Sequence, residues 1–345
     1  MKAFALHGAE DLRLEQKDRP APGFGEVLIG VRAAGICGTD IHYFQHGRCG
    51  NFVPSQPFVL GHEFAGEVLE LGEGTTTLSE STRVAVDPSR PCGKCRLCRE
   101  GRYNMCPHMR YFGTASVVPP IDGCFSEYVV VPAANCAVLP EGFQYGWAAL
   151  LEPLSVAAHA AKRSGSLAGK RVFVTGGGTI GQMILKMALA FGATQVVVSD
   201  LKAFARYFGL KQGATAALNP SDNTLTEQAQ SVSPEGFDVV FEAAGAPPAL
   251  TQAVQLACRG GKVVQVGMLP DGIPFPANDL LTRELEYIAS WRFANVFPMV
   301  LDLIQEGRLE VASLITRVFP FEELNAAMEH AITADNIKVQ IASEV

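Results

Sequence analysis

Arg171-Val172-Phe173-Val174-Thr175-Gly176-Gly177-Gly178-Thr179-Ile180-Gly181 is the stretch whose reading decides the fold. A β-prone apolar run enters three consecutive glycines, and Gly181 completes the pattern G-x-G-x-x-G. Helical periodicity then runs from Ile180 to Phe191. Strand, glycine turn and helix in that order open a dinucleotide-binding unit. Gly176 permits the tight turn, Gly178 lets a pyrophosphate approach the backbone, and Gly181 lets helix and strand pack closely. The helix start at Thr179 and Ile180 offers unpaired N–H groups and a positive dipole end to phosphates. Asp200 ends the next apolar run, where a carboxylate accepts hydrogen bonds from a ribose and repels a 2′-phosphate. NAD is therefore favoured over NADP, although Lys202 and Arg206 just downstream soften that preference. A glycine-rich turn without ligand is the plain alternative for the motif alone; the acidic residue and the flanking elements argue against it.

Outward from this stretch, apolar runs at Gln195–Ser199, Phe237–Phe241 and Lys262–Val266 alternate with helical patterns, among them Ala249–Cys258. Such alternation is the sequence form of a doubly wound parallel sheet in an α/β protein. The first 140 or so residues read differently, as short strands punctuated by Gly and Pro. Val27, Ile29, Val31 and Ala33 alternate with period two, and Phe125–Val131 is a second β-rich run. After a helix near Pro298–Glu306 the pattern turns β-rich again. The expected division is a β-rich domain over 1–145, a dinucleotide-binding domain over 146–290, and a return to the first domain over 291–345. The closing segment is short for an independent core.

The 345 residues are 48% hydrophobic and 18% charged, which excludes disorder for the chain as a whole. A net charge of −7, from 28 basic and 35 acidic residues, argues against nucleic-acid or membrane-surface partners. No apolar run approaches the roughly 18–20 residues of a membrane span. Glu10 and Asp11 come too early for a secretory leader. Nine cysteines in such a chain read as metal-bound or reduced thiols of a cytoplasmic protein, not as a disulfide framework.

Cys92, Cys95, Cys98 and Cys106 form C-x2-C-x2-C-x7-C. Four thiolates in so short a loop can enclose one tetrahedral Zn2+ and clamp a segment with little core of its own. An iron–sulfur cluster fits less well, because the final gap is seven residues where the ferredoxin run has three. A second set is scattered: Cys37 in Gly35-Ile36-Cys37-Gly38-Thr39-Asp40, then Gly61-His62-Glu63, then Glu152 before Pro153. Taken singly these are a buried thiol, a hydrogen-bonded imidazole and ordinary carboxylates. Together they are the mixed donors of a zinc site with an open position, but spacing alone does not assemble them.

With Gly61-His62-Glu63, the four-cysteine loop and the glycine fingerprint in that order, the chain resembles the zinc-containing medium-chain alcohol and polyol dehydrogenases along nearly its whole length. The resemblance implies an interrupted GroES-like catalytic domain with a Rossmann domain inserted, two zinc ions per chain (catalytic and structural), and a homodimer or homotetramer. Leu151-Glu152-Pro153-Leu154-Ser155 resembles the sorbitol-dehydrogenase branch. His42–Phe52, Pro88–Gly93, Met109–Gly113, Asp122–Phe125 and Ser290–Phe293 are similar to L-idonate 5-dehydrogenases. Cys124 replaces a glycine of that pattern.

The implied reaction is reversible hydride transfer between a secondary hydroxyl of a sugar acid (L-idonate to 5-ketogluconate) and NAD(P). Cys37, His62 and one or both of Glu63 and Glu152 would hold a zinc that acidifies the hydroxyl. Neighbours in a regular strand point to opposite faces, so joint use of His62 and Glu63 requires a local kink. By resemblance Thr39 accepts the proton and His42 passes it on, while Tyr43, Glu152 and Arg292 bind substrate hydroxyls. Arg48, Arg110 and Arg292 are candidates for a substrate carboxylate, since guanidinium pairs bidentately with carboxylates. A sorbitol- or xylitol-type polyol dehydrogenase is the nearest alternative. A non-catalytic zinc- and dinucleotide-binding protein is the alternative from another class.

Overall fold

The computed structural model describes residues 1–333 and 335–343. The chain forms two compact units: Met1–Glu152 with Phe297–Gln305 and Glu310–Val345, and Pro153–Val296 with Glu306–Leu309. This is the interrupted GroES-like plus Rossmann architecture. No helix among the described residues is long and apolar enough to cross a membrane.

In the second unit six parallel strands lie in the order Ala216–Leu218, Gln195–Ser199, Arg171–Thr175, Phe237–Glu242, Ala257–Gln265, Glu286–Ala289. The central strands are buried on both faces, so they read as unbroken Val/Phe runs instead of alternating ones. The chain order reverses between Arg171–Thr175 and Phe237–Glu242, and ligands of open α/β sheets bind at such a point. Gly176 sits there with φ +88°, and a Cβ on it would lie 2.7 Å from the Ala244 nitrogen.

The first unit is built around Glu26–Gly35. This strand pairs along one edge with Glu63–Leu71. Its other edge is shared: Glu26–Gly30 meets Tyr128–Pro132, and Ala33–Gly35 meets Gln340–Ala342 of the strand Lys338–Ala342. Both faces are covered, partly by the short helix Tyr145–Ala149, so Leu28 is as buried as Val27 and Ile29. Register matters for function here, because Gly35 lies opposite both Glu63 and Gln340. One strand end thus gathers residues from three distant parts of the chain.

Candidate active site and metal centres

The four-cysteine lobe has its own small core of Cys106, Met109 and Tyr111, against which Cys92, Cys95 and Cys98 pack. A two-residue ladder, Ser89–Arg90 with Arg110–Tyr111, closes its neck. The four Sγ atoms lie within 4.8 Å of one another. Cys95 Sγ is 3.4 Å from Cys98 Sγ and 3.9 Å from Cys106 Sγ. A tetrahedron with Zn–S of about 2.3 Å has edges of about 3.8 Å, so the set fits a tetrathiolate zinc. The backbone N–H groups of Lys94 and Cys95 bring the Cys92 thiol down to about 6, toward the thiolate a metal requires.

The second centre starts at the helix Gly38–His46, whose N-cap is Cys37. Asp40, three residues on, accepts the Cys37 N–H at 2.9 Å and the Gly61 N–H at 3.1 Å. One buried carboxylate thereby ties together the two segments that carry Cys37 and His62. Gly61 has φ +92°, and a Cβ there would meet the Phe125 ring at 2.6 Å. This turn supplies the kink that regular alternation lacks: the strand begins only at Glu63, and His62 precedes it. Ligand atoms of Cys37, His62 and Glu63 all fall within 4.8 Å of one another.

Glu152 is not in that trio but stands beside it. Its carboxylate accepts the Tyr111 hydroxyl at 2.6 Å. Burial, reinforced by repulsion from Glu63, pushes Glu152 up to about 7 against the attraction of His62, the Tyr111 hydrogen bond and Lys338. Burial works against a proton on His62, yet the charges of Asp40, Cys37 and Glu152 outweigh it and hold the imidazole well above its usual pKa. The ring's Nδ1 lies 3.8 Å from Asp40 Oδ1 and makes no hydrogen bond.

Lys338, which sequence reasoning did not single out, completes the surroundings. Its ammonium donates to Glu63 Oε1 at 2.8 Å, to Glu63 Oε2 at 2.7 Å and to the Ile36 carbonyl at 2.9 Å. Lys338 is 2% exposed and Glu63 0%. Burial alone would lower the lysine pKa; Glu63, Cys37 and Glu152 more than offset it, and the net shift is upward. Gly35 makes the room, since a Cβ there would stand 2.1 Å from Glu63 Oε2. Three buried carboxylates and a thiol face this ammonium and the His62 imidazole, so acidic groups outnumber basic ones in the cluster. A mixed S, N, O donor set with surplus negative charge fits a zinc ion with an open position.

The remaining candidates differ in burial. Thr39 is half-buried and His42 is exposed. Arg48 and Arg110 are exposed. Tyr43, expected against substrate hydroxyls, is instead 1% exposed, edge-on to Phe58, with its hydroxyl accepting the Ala115 N–H. It lies in the core because the buried face of its helix carries it inward. In the second unit, Arg292 is half-buried with φ +50° and its guanidinium lies over the Trp291 ring.

At the glycine loop the helix Thr179–Ala190 begins on Gly178. A Cβ on Gly181 would come within 1.8 Å of the Gly176 carbonyl oxygen, whereas Gly178 faces open space. That is a cradle shaped for close backbone approach by a pyrophosphate. Asp200 holds the loop by accepting the Gly177 N–H at 2.8 Å. Gln182, also unforeseen, donates to the Gly177 carbonyl and to Ala205 O. Arg206 is committed to the carbonyls of Asp200 and Leu201.

Residues 23–141 match the alcohol dehydrogenase GroES-like domain and residues 179–306 match the zinc-binding dehydrogenase domain. The chain is 36% identical to sorbitol dehydrogenase of Bacillus subtilis (strain 168), covering 99% of this chain and 97% of that protein. The crystal structure of L-idonate 5-dehydrogenase from Escherichia coli K-12 superposes with TM-score 0.93 at 33% identity, over 99% of this chain and 97% of that one. A zinc-binding dehydrogenase from Sinorhizobium meliloti 1021 bound to NADP superposes with TM-score 0.90 at 33% identity, over 99% and 98%. With the two domain matches and a full-length relative agreeing, the chain belongs to the zinc-containing medium-chain alcohol and polyol dehydrogenases.

Proposed function

We propose that the protein oxidises a secondary hydroxyl of a six-carbon sugar acid, L-idonate to 5-ketogluconate, with NAD as hydride acceptor. The observation that carries the oxidoreductase reading is the convergence of Cys37, His62 and Glu63, with Glu152 beside them. Bound there, zinc supplies Lewis acidity toward the substrate hydroxyl. Thr39 takes up the hydroxyl proton and exposed His42 releases it to solvent, a task suited to imidazole. Glu152 orients the substrate or completes the metal's surroundings. Cys92, Cys95, Cys98 and Cys106 hold a second, structural zinc. The sugar-acid choice rests on the segments similar to L-idonate 5-dehydrogenases and on the likeness to that enzyme's structure. The relation to a sorbitol dehydrogenase favours a polyol as the second reading.

Reduction of NAD+ and NADP+ followed spectrophotometrically over idonate, gluconate, sorbitol, xylitol and threonine tests both. Turnover of idonate above the polyols is expected; polyol turnover alone would replace the sugar-acid reading by the second. Arg110→Ala is expected to raise KM for idonate about tenfold, the loss of one charge-assisted pair, and to spare sorbitol. Equal loss on both substrates would remove Arg110 from carboxylate binding. Asp200→Asn is expected to raise KM for NAD about tenfold while improving that for NADP, because the ribose loses a charged acceptor and the 2′-phosphate a repelling charge. An unchanged NAD/NADP ratio would count against it.

A further inference from the structure

Tyr111 joins the two metal centres of the first unit. Its backbone lies in the ladder with Ser89 at the neck of the four-cysteine lobe, and its side chain belongs to the small core with Cys106 and Met109. The hydroxyl at the far end of the same ring donates to Glu152 Oε1 at 2.6 Å. The ring itself stands edge-on to the His62 imidazole, centroids 5.9 Å apart. Tyr111 is 4% exposed and Glu152 6%. A short hydrogen bond from a wedged aromatic leaves the carboxylate little rotational freedom.

The contrast with Glu63 is informative. Glu63 has both oxygens on the Lys338 ammonium and a clearance provided by Gly35. Glu152 comes from the helix Leu151–Ser164 and takes its Oε1 bond from Tyr111. Glu63 and Glu152 therefore each have a side-chain donor of their own, one charged and one neutral.

We infer that Tyr111 is a positioning residue: its hydroxyl fixes the Glu152 carboxylate beside Cys37 and His62, and the four-cysteine lobe supplies the rigid base from which it does so. The inference rests on the zinc-dehydrogenase reading above. Outer donors of this kind govern how well a centre keeps its metal, and their loss typically costs 10–100-fold in affinity or activity.

The test is zinc release from the holoprotein to a chromophoric chelator, with Cys37→Ser identifying the phase that belongs to the Cys37 centre. Tyr111→Phe keeps the ring and removes the hydroxyl. It is expected to accelerate that phase about tenfold and leave the four-cysteine phase unchanged. In a Glu152→Ala background the same substitution is expected to add nothing, because the partner through which it acts is gone. An unchanged Cys37 phase, equal acceleration of both phases, or an effect that persists without Glu152 would overturn the role. Wild-type protein releasing one zinc per chain instead of two would overturn the catalytic-metal reading itself, an outcome separate from any behaviour of Tyr111→Phe.

Discussion

Lys338→Met is expected to lower the unfolding free energy by about 3–5 kcal/mol, the range for breaking a buried ion pair from one side. The substitution keeps the volume of the stem and deletes the charge. Glu63 then keeps a carboxylate at 0% exposure without its ammonium, and the Ile36 carbonyl loses its donor. The cost comes from the stranded anion more than from the lost attraction, since replacing both partners of such a pair by apolar groups is often close to neutral. Lys338→Met combined with Glu63→Leu is therefore expected to recover most of the loss in metal-free protein. Denaturant unfolding of chelated samples reads both; a loss below about 1 kcal/mol for the single variant would mean that water or the backbone replaces the ammonium.

Cys37→Ser is expected to reduce kcat/KM by at least about 10³, the scale of several kcal/mol of transition-state stabilisation. Zinc content should fall from two ions per chain to one, and NADH binding followed by fluorescence should stay intact. The reason is local: Cys37 is the sulfur donor of a trio that otherwise offers imidazole and carboxylate. Asp40 and the helix start remain to hold the backbone, so the fold survives the change. Full activity with one zinc would sink the metal-centre reading.

Much of the second unit was legible. Arg171–Thr175 and Gln195–Ser199 are strands to the residue, because buried parallel strands leave unbroken β-branched runs. Ala216–Leu218 and Glu286–Ala289 escaped notice: three or four residues, the former Ala-Ala-Leu, carry too weak a β signal. The helix read as Ala249–Cys258 is Pro247–Leu256, since proline is accommodated in a first turn, and Ala257 and Cys258 already belong to the next strand. Phe125 reads as a strand start but is a fully buried ring packed against Gly61, with the strand beginning at Tyr128.

At the metal centre the donors were visible and their keepers were not. Asp40 stands at the N3 spacing from Cys37, where a carboxylate reaching back to the N-cap N–H is a known helix-start pattern, so it could have been found. Lys338 could not. In Lys338-Val339-Gln340-Ile341 the alternation puts Val339 and Ile341 inward and assigns Lys338 and Gln340 to solvent. Both are buried, because the second face of this strand meets Glu63 and the Gly146 carbonyl. Such a reversal follows from long-range assembly, not from local pattern.

The separation of 275 residues between Lys338 and Glu63 also sets a timetable for synthesis. At ribosomal speeds of about 5–20 residues per second, roughly 14–55 s pass between the two side chains leaving the peptidyl-transferase centre. During that interval the N-terminal segment carries a carboxylate without its ammonium partner, whereas the described strands of the inserted nucleotide-binding unit all precede Lys338. The first unit thus waits for the ammonium partner of Glu63 until every strand of the inserted unit has been translated.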